Sequence, residues 1–317
     1  MSDQTKSSPV IGVVGPTASG KSTLAIELAL ALNGEIINCD SVQVYRDIEI
    51  ATAKVPLAEQ RGIPHHLISF VPPQVNYTAV EWAAAATSKI SEIESRGRVP
   101  FLVGGTGFYL RALRKPFFVS PHTDAELRGR INKMREQHGP EYLHRVLRHL
   151  DPKGAEQLHA RDWPRVQRAI EIYVQTGESI FAQREDRPEP HESSHRLRII
   201  ALNPPRNALY ERINQRTEEH FKAGLVEEVK RLLERGVPPE SNALGAHGYR
   251  RVVEYLHGKR TIESALEQTK LDVRHYAKRQ LTWFRREEGV NWVNGFGDRG
   301  DTVREVLEWL EPIFGPK

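Results

Sequence analysis

The residues Gly15–Ser22, GPTASGKS, have the types and spacing of a phosphate cradle. They fit G-x-x-x-x-G-K-[ST]: Gly15, then Pro16, Thr17, Ala18 and Ser19, then Gly20, Lys21 and Ser22. Glycines let successive backbone N–H groups converge on an anion at the positive end of a helix. Lys21 adds a point charge, and the Ser22 hydroxyl is the expected ligand of Mg²⁺. The pattern does not say which phosphate is held, and by itself it allows an ATP-binding small-molecule or nucleotide kinase. Such enzymes normally place a carboxylate at the end of a later apolar strand. Here the run Phe101–Gly105, FLVGG, ends in glycines. The acid comes earlier, as Asp40 directly after the apolar run EIINC. Two roles stand open for it: a functional acid at the carboxyl end of a sheet, or a cap on the turn that follows.

These residues need a frame. Val10–Val14 is a short, continuous apolar run with the character of a buried parallel strand. Lys21–Leu32 has helical spacing, with Leu24, Leu28, Ala31 and Leu32 on one face. Glu35–Cys39 reads as a second strand, Thr78–Arg96 as a helix, and Val99–Val103 as a third strand running into a glycine turn, GGTGFY. Strand and helix in alternation predict a P-loop α/β fold with a doubly wound parallel sheet. Residues 117–190 differ, with three or four helical stretches and no strong strand, and end in a polar, proline-rich loop. They are expected to form a helical insertion domain within an α/β domain made of 10–116 and 191–317. In its second part a strand at Leu197–Leu202 precedes helices at Arg206–Arg235, Gly248–His257 and Thr261–Arg286. A strand at Val290–Val293 and a helix at Thr302–Phe314 follow, and residues 1–9 are expected to be a flexible tail.

The chain has 317 residues, 39% hydrophobic and 27% charged, with a net charge of +4. This is ordinary globular composition, with a mild lean toward a polyanionic partner. The single cysteine, Cys39, excludes an internal disulfide framework and suits a reducing, cytoplasmic setting. No apolar run approaches the ~20 residues needed to span a bilayer. His65 and His66 are adjacent, and His144 and His149 are five apart; neither spacing is that of a zinc site. They are expected in loops and on the surface, with His66 the one that could touch a substrate. A monomer is expected, because no extended apolar stripe is left over.

Three segments taken together resemble the tRNA dimethylallyltransferases, or tRNA isopentenyltransferases, of the bacterial type. They are GPTASGKS, DSVQVYRDIEIATAK at Asp40–Lys54, and VGGTGFYLRAL at Val103–Leu113. HARDWPRVQRAIEIYVQTGES at His159–Ser179, GLVEEVKRLL at Gly224–Leu233 and YAKRQLTWFRR at Tyr276–Arg286 extend the likeness along nearly the whole chain. The resemblance implies that the cradle holds dimethylallyl diphosphate, whose five-carbon group passes to the exocyclic amine of an adenosine 3′-adjacent to the anticodon. The amides of Thr17–Ser22, Lys21 and Mg²⁺ on Ser22 would stabilise the departing diphosphate. Asp40 would be the general base, with Thr106 beside it, and Ser41, Val42 and Gln43 would read the base edge.

The anticodon stem-loop would offset the cost of flipping its base by contacts elsewhere. The family pattern places such contacts at Thr106, Arg128, Arg165, Val166, Gln167, Arg168 and Ala169. It continues at Gly245, Ala246, His247, Gly248, Tyr249 and Arg250, and at Lys278, Arg279, Gln280, Leu281, Thr282, Trp283, Phe284 and Arg285. Two basic tracts fit this picture. Arg96–Lys115 carries Arg96, Arg98, Arg111, Arg114 and Lys115 with no acid; Lys270–Arg286 carries six cations, one acid and interleaved aromatics. By itself the second tract reads rather as an amphipathic helix with aromatics in the core, and only the resemblance favours RNA contact. The insertion has twelve acids and twelve Lys/Arg between Ser120 and Pro190, so bulk charge does not mark it as an RNA surface. Two positions depart from the family pattern: Ala51, where glycine is usual, and His247, where isoleucine usually precedes Gly248-Tyr249.

Overall fold

The computed structural model describes residues 8–117, 121–182 and 189–314. Most of the expected tail and residues 183–188 of the polar loop lie outside the described residues. The strands are β1 (Val10–Val14), β2 (Gly34–Asn38), β3 (His65–His66), β4 (Val99–Gly104), β5 (Leu197–Leu202) and β6 (Val290–Val293). They form one parallel sheet in the order β3-β2-β4-β1-β5-β6. Every residue of β1, β2 and β4 is buried, which is why these strands read as unbroken apolar runs rather than alternating ones.

Contacts divide the chain into two units, Met1–Arg114 with Pro190–Lys317, and Lys115–Glu189. In the first, α1 (Lys21–Ala31) follows β1, α2 (Ala79–Ser95) follows β3, and α3 (Gly107–Arg114) follows β4. The chain steps one way across the sheet from β1 to β2 and the other way from β2 to β4. Right-handed crossovers therefore put α1 and α2 on opposite faces. Behind α1, an apolar cluster of Ile11, Val13, Ile36, Phe101, Val103, Ile200 and Leu202 packs on Leu24, Leu28 and Leu310. Neighbouring β1 and β4 send the chain to opposite sides, so the crevice beyond their carboxyl ends is the switch point at which such sheets bind ligands.

The segment expected as one helix over Arg206–Arg235 is two, α9 (Arg206–Lys222) and α10 (Leu225–Glu234), after the short α8 (Glu192–His195). The break falls at Gly224, whose φ of 97° no helix admits. The helices α11 (Tyr249–Leu256), α12 (Ile262–Phe284) and α13 (Gly300–Phe314) complete this unit. Two further expectations are corrected. GGTGFY runs into the helix α3 rather than a simple turn, and His65 and His66 are a half-buried edge strand rather than loop residues. His66 Nε2 lies 2.6 Å from Glu35 Oε2, which ties this edge to β2.

The second unit contains α4 (Ala125–His138), α5 (Pro140–Leu150), α6 (Pro152–Glu156) and α7 (Trp163–Thr176). Its core is Ile131, Leu143, Leu147, Ala155, Val166, Ala169 and Ile170. Among the described residues no helix is long and apolar enough to cross a membrane.

Candidate active site

The cradle sits at the switch point. Gly20 precedes α1 with φ 85°, and a Cβ there would lie 2.8 Å from the Asp298 amide nitrogen. Only glycine lets the loop after β6 close this tightly. No side chain caps α1 and its first turn holds no acid, so the amide donors of that turn have no competing side-chain acceptor. Lys21 Nζ donates to the Pro16 carbonyl at 2.7 Å. Burial pushes the Lys21 pKa down to about 8, with Asp40 opposing and Arg216 reinforcing the shift. Ser22 lines the cavity together with Asp40. Ser19 is fully buried, and its carbonyl accepts the Gly297 amide at 2.8 Å.

Asp40 stands just past β2, held from both directions. The Asn38 side chain accepts the Asp40 amide at 3.1 Å and donates to the Asp40 and Leu67 carbonyls. Asp40 Oδ1 accepts the amides of Val42 at 2.9 Å and Gln43 at 3.4 Å. The capping role is therefore real, but it uses one oxygen; Oδ2 accepts no hydrogen bond among the described residues and is left for chemistry. Thr106 Oγ1 accepts the Ser41 amide at 2.9 Å, and its own amide donates to the Cys39 carbonyl, so Thr106 sews β4 to the Asp40 loop. Gln43 gives its amide group to the Thr52 and Ala53 carbonyls.

Two cavities meet here. One, about 460 Å³, runs along Thr17–Thr23 and takes in Gln43 and Lys54. The other, about 690 Å³, is walled by Ser41, Val42, Ala51, Thr106, Phe108, Ala246, His247, Gly248 and Tyr276. Thr17, Ala18, Asp40, Thr52 and Arg216 line both, so the carboxylate stands on the partition. Sequence reasoning missed Arg216. It projects from α9 into the junction, is partly buried, and makes no ion pair with any carboxylate among the described residues. Burial lowers its pKa, with Asp40 opposing. A desolvated guanidinium beside a desolvated lysine, neither with an ion-pair partner, is costly unless an anion joins them. No signal in the sequence separates Arg216 from the other arginines of an amphipathic helix.

The residues expected at the RNA fall into two sets. Gly245, Ala246, His247 and Gly248 line the larger cavity, while Arg250, Lys278, Arg279, Thr282 and Arg285 are exposed and Leu281 half-exposed. Others are structural, which corrects the expectation. Tyr249 is fully buried, donating to Glu228 at 2.5 Å and accepting the Ala51 amide at 3.2 Å. Gln280, 4% exposed, accepts the Thr17 amide at 2.8 Å and donates to the Gly105 carbonyl at 3.0 Å. Phe284 is buried, and Trp283 is overlaid by Arg111 at 4.1 Å from the ring. The Arg96–Lys115 tract is partly paired: Arg96 and Arg98 share Glu35, and Arg111 and Arg114 share Glu287.

In the helical unit, Val166, Gln167 and Ala169 are buried, so their side chains cannot reach an RNA from this conformation. Arg128 clasps Glu171 with two hydrogen bonds of 2.8 Å, and Arg168 joins the same carboxylate at 3.3 Å. Burial opposes the charge on Glu171, but these arginines hold its carboxyl below the usual range. Only Arg165 of this group is strongly exposed, paired to Asp162 at 3.2 Å. His144 bridges the Ala155 and Leu158 carbonyls, and His66 lines neither cavity. Among the described residues no group of three or more His, Cys, Asp or Glu is placed to hold a metal ion.

The profile of the family described as IPP transferase matches residues 43–287, and that described as isopentenyl transferase matches residues 9–64. A tRNA dimethylallyltransferase of Solibacter usitatus is 43% identical over 310 residues, covering 97% of this chain and 99% of its own. That of Koribacter versatilis is also 43% identical, over 96% of this chain and 99% of its own. Among solved structures, the tRNA isopentenylpyrophosphate transferase of Bacillus halodurans superposes with a TM-score of 0.71 at 37% identity, covering 97% of both chains. A eukaryotic dimethylallyltransferase acting on tRNA gives a TM-score of 0.73 at 29% identity, covering 96% of this chain and 76% of its own.

Proposed function

Because the chain belongs to the tRNA dimethylallyltransferase family, we propose that it moves the dimethylallyl group of dimethylallyl diphosphate onto the exocyclic amine of the adenosine 3′-adjacent to the tRNA anticodon, releasing diphosphate. It is an enzyme that transfers a prenyl group to tRNA. The observation that carries the finer reading is the partition: one carboxylate between a cradle for an anion and a cavity large enough for a nucleobase.

The diphosphate lies in the smaller cavity, on the uncapped amides ahead of α1, with Lys21 and Arg216 supplying the charges that Asp40 alone does not match. The flipped adenine enters the larger cavity. As its amine attacks the allylic carbon, the C–N bond forms and the C–O bond to diphosphate breaks; the proton passes to Asp40 Oδ2 and then to solvent. Negative charge builds on the leaving group, so amides and cations fixed around it lower the barrier more than they lower the ground state. Ser22, which lines the cradle beside Asp40, would hold Mg²⁺ through its hydroxyl, and the ion would neutralise part of the departing charge.

A monomeric state and a cytoplasmic location belong to the same reading. The kinase alternative is not favoured, for β4 ends in Gly104 and the relatives named above are tRNA prenyl transferases. Purified protein given labelled dimethylallyl diphosphate, Mg²⁺ and unmodified tRNA is expected to put label into RNA, with none incorporated when the target adenosine is replaced by guanosine. Absence of label over a range of tRNAs with adenosine at that position would refute the reading.

A further inference from the structure

His220 lies one turn beyond Arg216 on α9 and lines the larger cavity. Its Nε2 stands 3.4 Å from Arg216 Nε. An arginine nitrogen only donates, so Nε2 is the acceptor, the ring proton sits on Nδ1, and the imidazole is neutral. Burial, and then the charge of Arg216, push the His220 pKa down to about 4, which keeps that lone pair available through the neutral range. Arg216 has four rotatable side-chain bonds and no carboxylate fastened to it, so something else must choose its rotamer. The nearby acids that enter its electrostatics are Asp40 across the junction and Glu219 on its own helix.

We infer that His220 is a positioning residue for Arg216: by accepting from Nε it fixes the guanidinium and leaves the two terminal amino groups for the anion in the junction. The inference rests on the reading of the junction as a diphosphate site. A carboxylate in this place would neutralise the cation and weaken its attraction for a leaving group. A neutral acceptor aims the guanidinium without spending its charge. The imidazole also removes one of five donors from competition with the ligand.

The test uses the whole enzyme. Binding of dimethylallyl diphosphate with Mg²⁺, without tRNA, is measured by calorimetry, and turnover with tRNA is measured separately. His220→Leu is expected to weaken diphosphate binding and to lower kcat, each by roughly tenfold, the cost of one hydrogen bond to a charged group. His220→Gln, which keeps an acceptor, should recover most of the loss, and in an Arg216→Ala background His220→Leu should change neither quantity further. The inference is overturned if His220→Leu binds and turns over like the parent, if His220→Gln is no better than leucine, or if the two losses add in the double variant. Should His220→Leu fail to fold, the comparison of His220→Gln with His220→Met decides on the same terms. A parent enzyme that neither binds the diphosphate nor labels tRNA overturns the functional reading itself, and this inference with it.

Discussion

Raising the pH should loosen the grip on the diphosphate, through Lys21. Its pKa of about 8 lies well below the ordinary 10.5, because the folded chain desolvates the ammonium before any anion arrives. The difference corresponds to about 3 kcal/mol of interaction that a bound anion can restore. In the free enzyme Lys21 loses its proton as pH rises through about 8, whereas a seated diphosphate holds that proton on. Binding therefore takes up a proton above this point. Near pH 8.5 roughly three-quarters of the free sites are neutral, so calorimetry in buffers of different ionisation enthalpy should record an uptake of about 0.75 proton per dimethylallyl diphosphate. The association constant should decline above pH 8 with a slope approaching tenfold per unit. Lys21→Met should abolish both the uptake and the slope. Folding runs the other way. The unfolded lysine keeps its proton to higher pH, so the contribution of Lys21 to stability rises between about 8 and 10.5 while affinity falls. Affinity independent of pH from 7 to 9.5, with no proton taken up, would refute the idea that this lysine is desolvated in wait for an anion.

Three more outcomes are expected. Asp40→Asn keeps the oxygen that accepts from Val42 and Gln43, so diphosphate binding should persist while prenyl transfer slows by roughly 10²–10⁴-fold in single-turnover assays; a near-normal rate removes Asp40 from the base role. Gln280→Leu leaves the part-buried Thr17 amide without its acceptor and should cost about 1–3 kcal/mol in urea denaturation, with weaker diphosphate binding. An unchanged unfolding midpoint would show the link to be idle. Gly105→Ala puts a methyl 2.0 Å from Gln280 Nε2 and should lose soluble, folded protein, or at the least match the damage of Gln280→Leu in thermal melts.

What could be read in the chain follows from how much of each signal is local. The strands β1 and β4 announce themselves because burial on both faces leaves no polar alternation, and the cradle because its chemistry and spacing are one short segment. The helix α3 was hidden behind glycines, yet those glycines answer to distant partners. A Cβ at Gly104 would meet the Cys39 carbonyl at 2.1 Å, and one at Gly107 the Trp283 ring at 2.1 Å. Their reason lies in tertiary packing, not in a turn. β3 is two residues long and carries no periodicity to detect. Among the residues carried over from the family pattern, Val166 and Ala169 share with the neighbouring Ile170 the i, i+3, i+4 spacing of a core face, a signal that stood in the sequence and went unused. The ion pairs that engage the first basic tract could not be foreseen, since Glu287 lies more than 170 positions from Arg111.

The amide side chain of Gln280 gives α12 a second task. The outward side of this helix carries Lys278, Arg279 and Arg285 in water, while its inward side is pinned to the backbone of Thr17, inside the anion cradle. Any displacement of this helix would pull, through that one amide group, on the loop ahead of α1, so the outer face of α12 and the cradle are mechanically joined rather than independent.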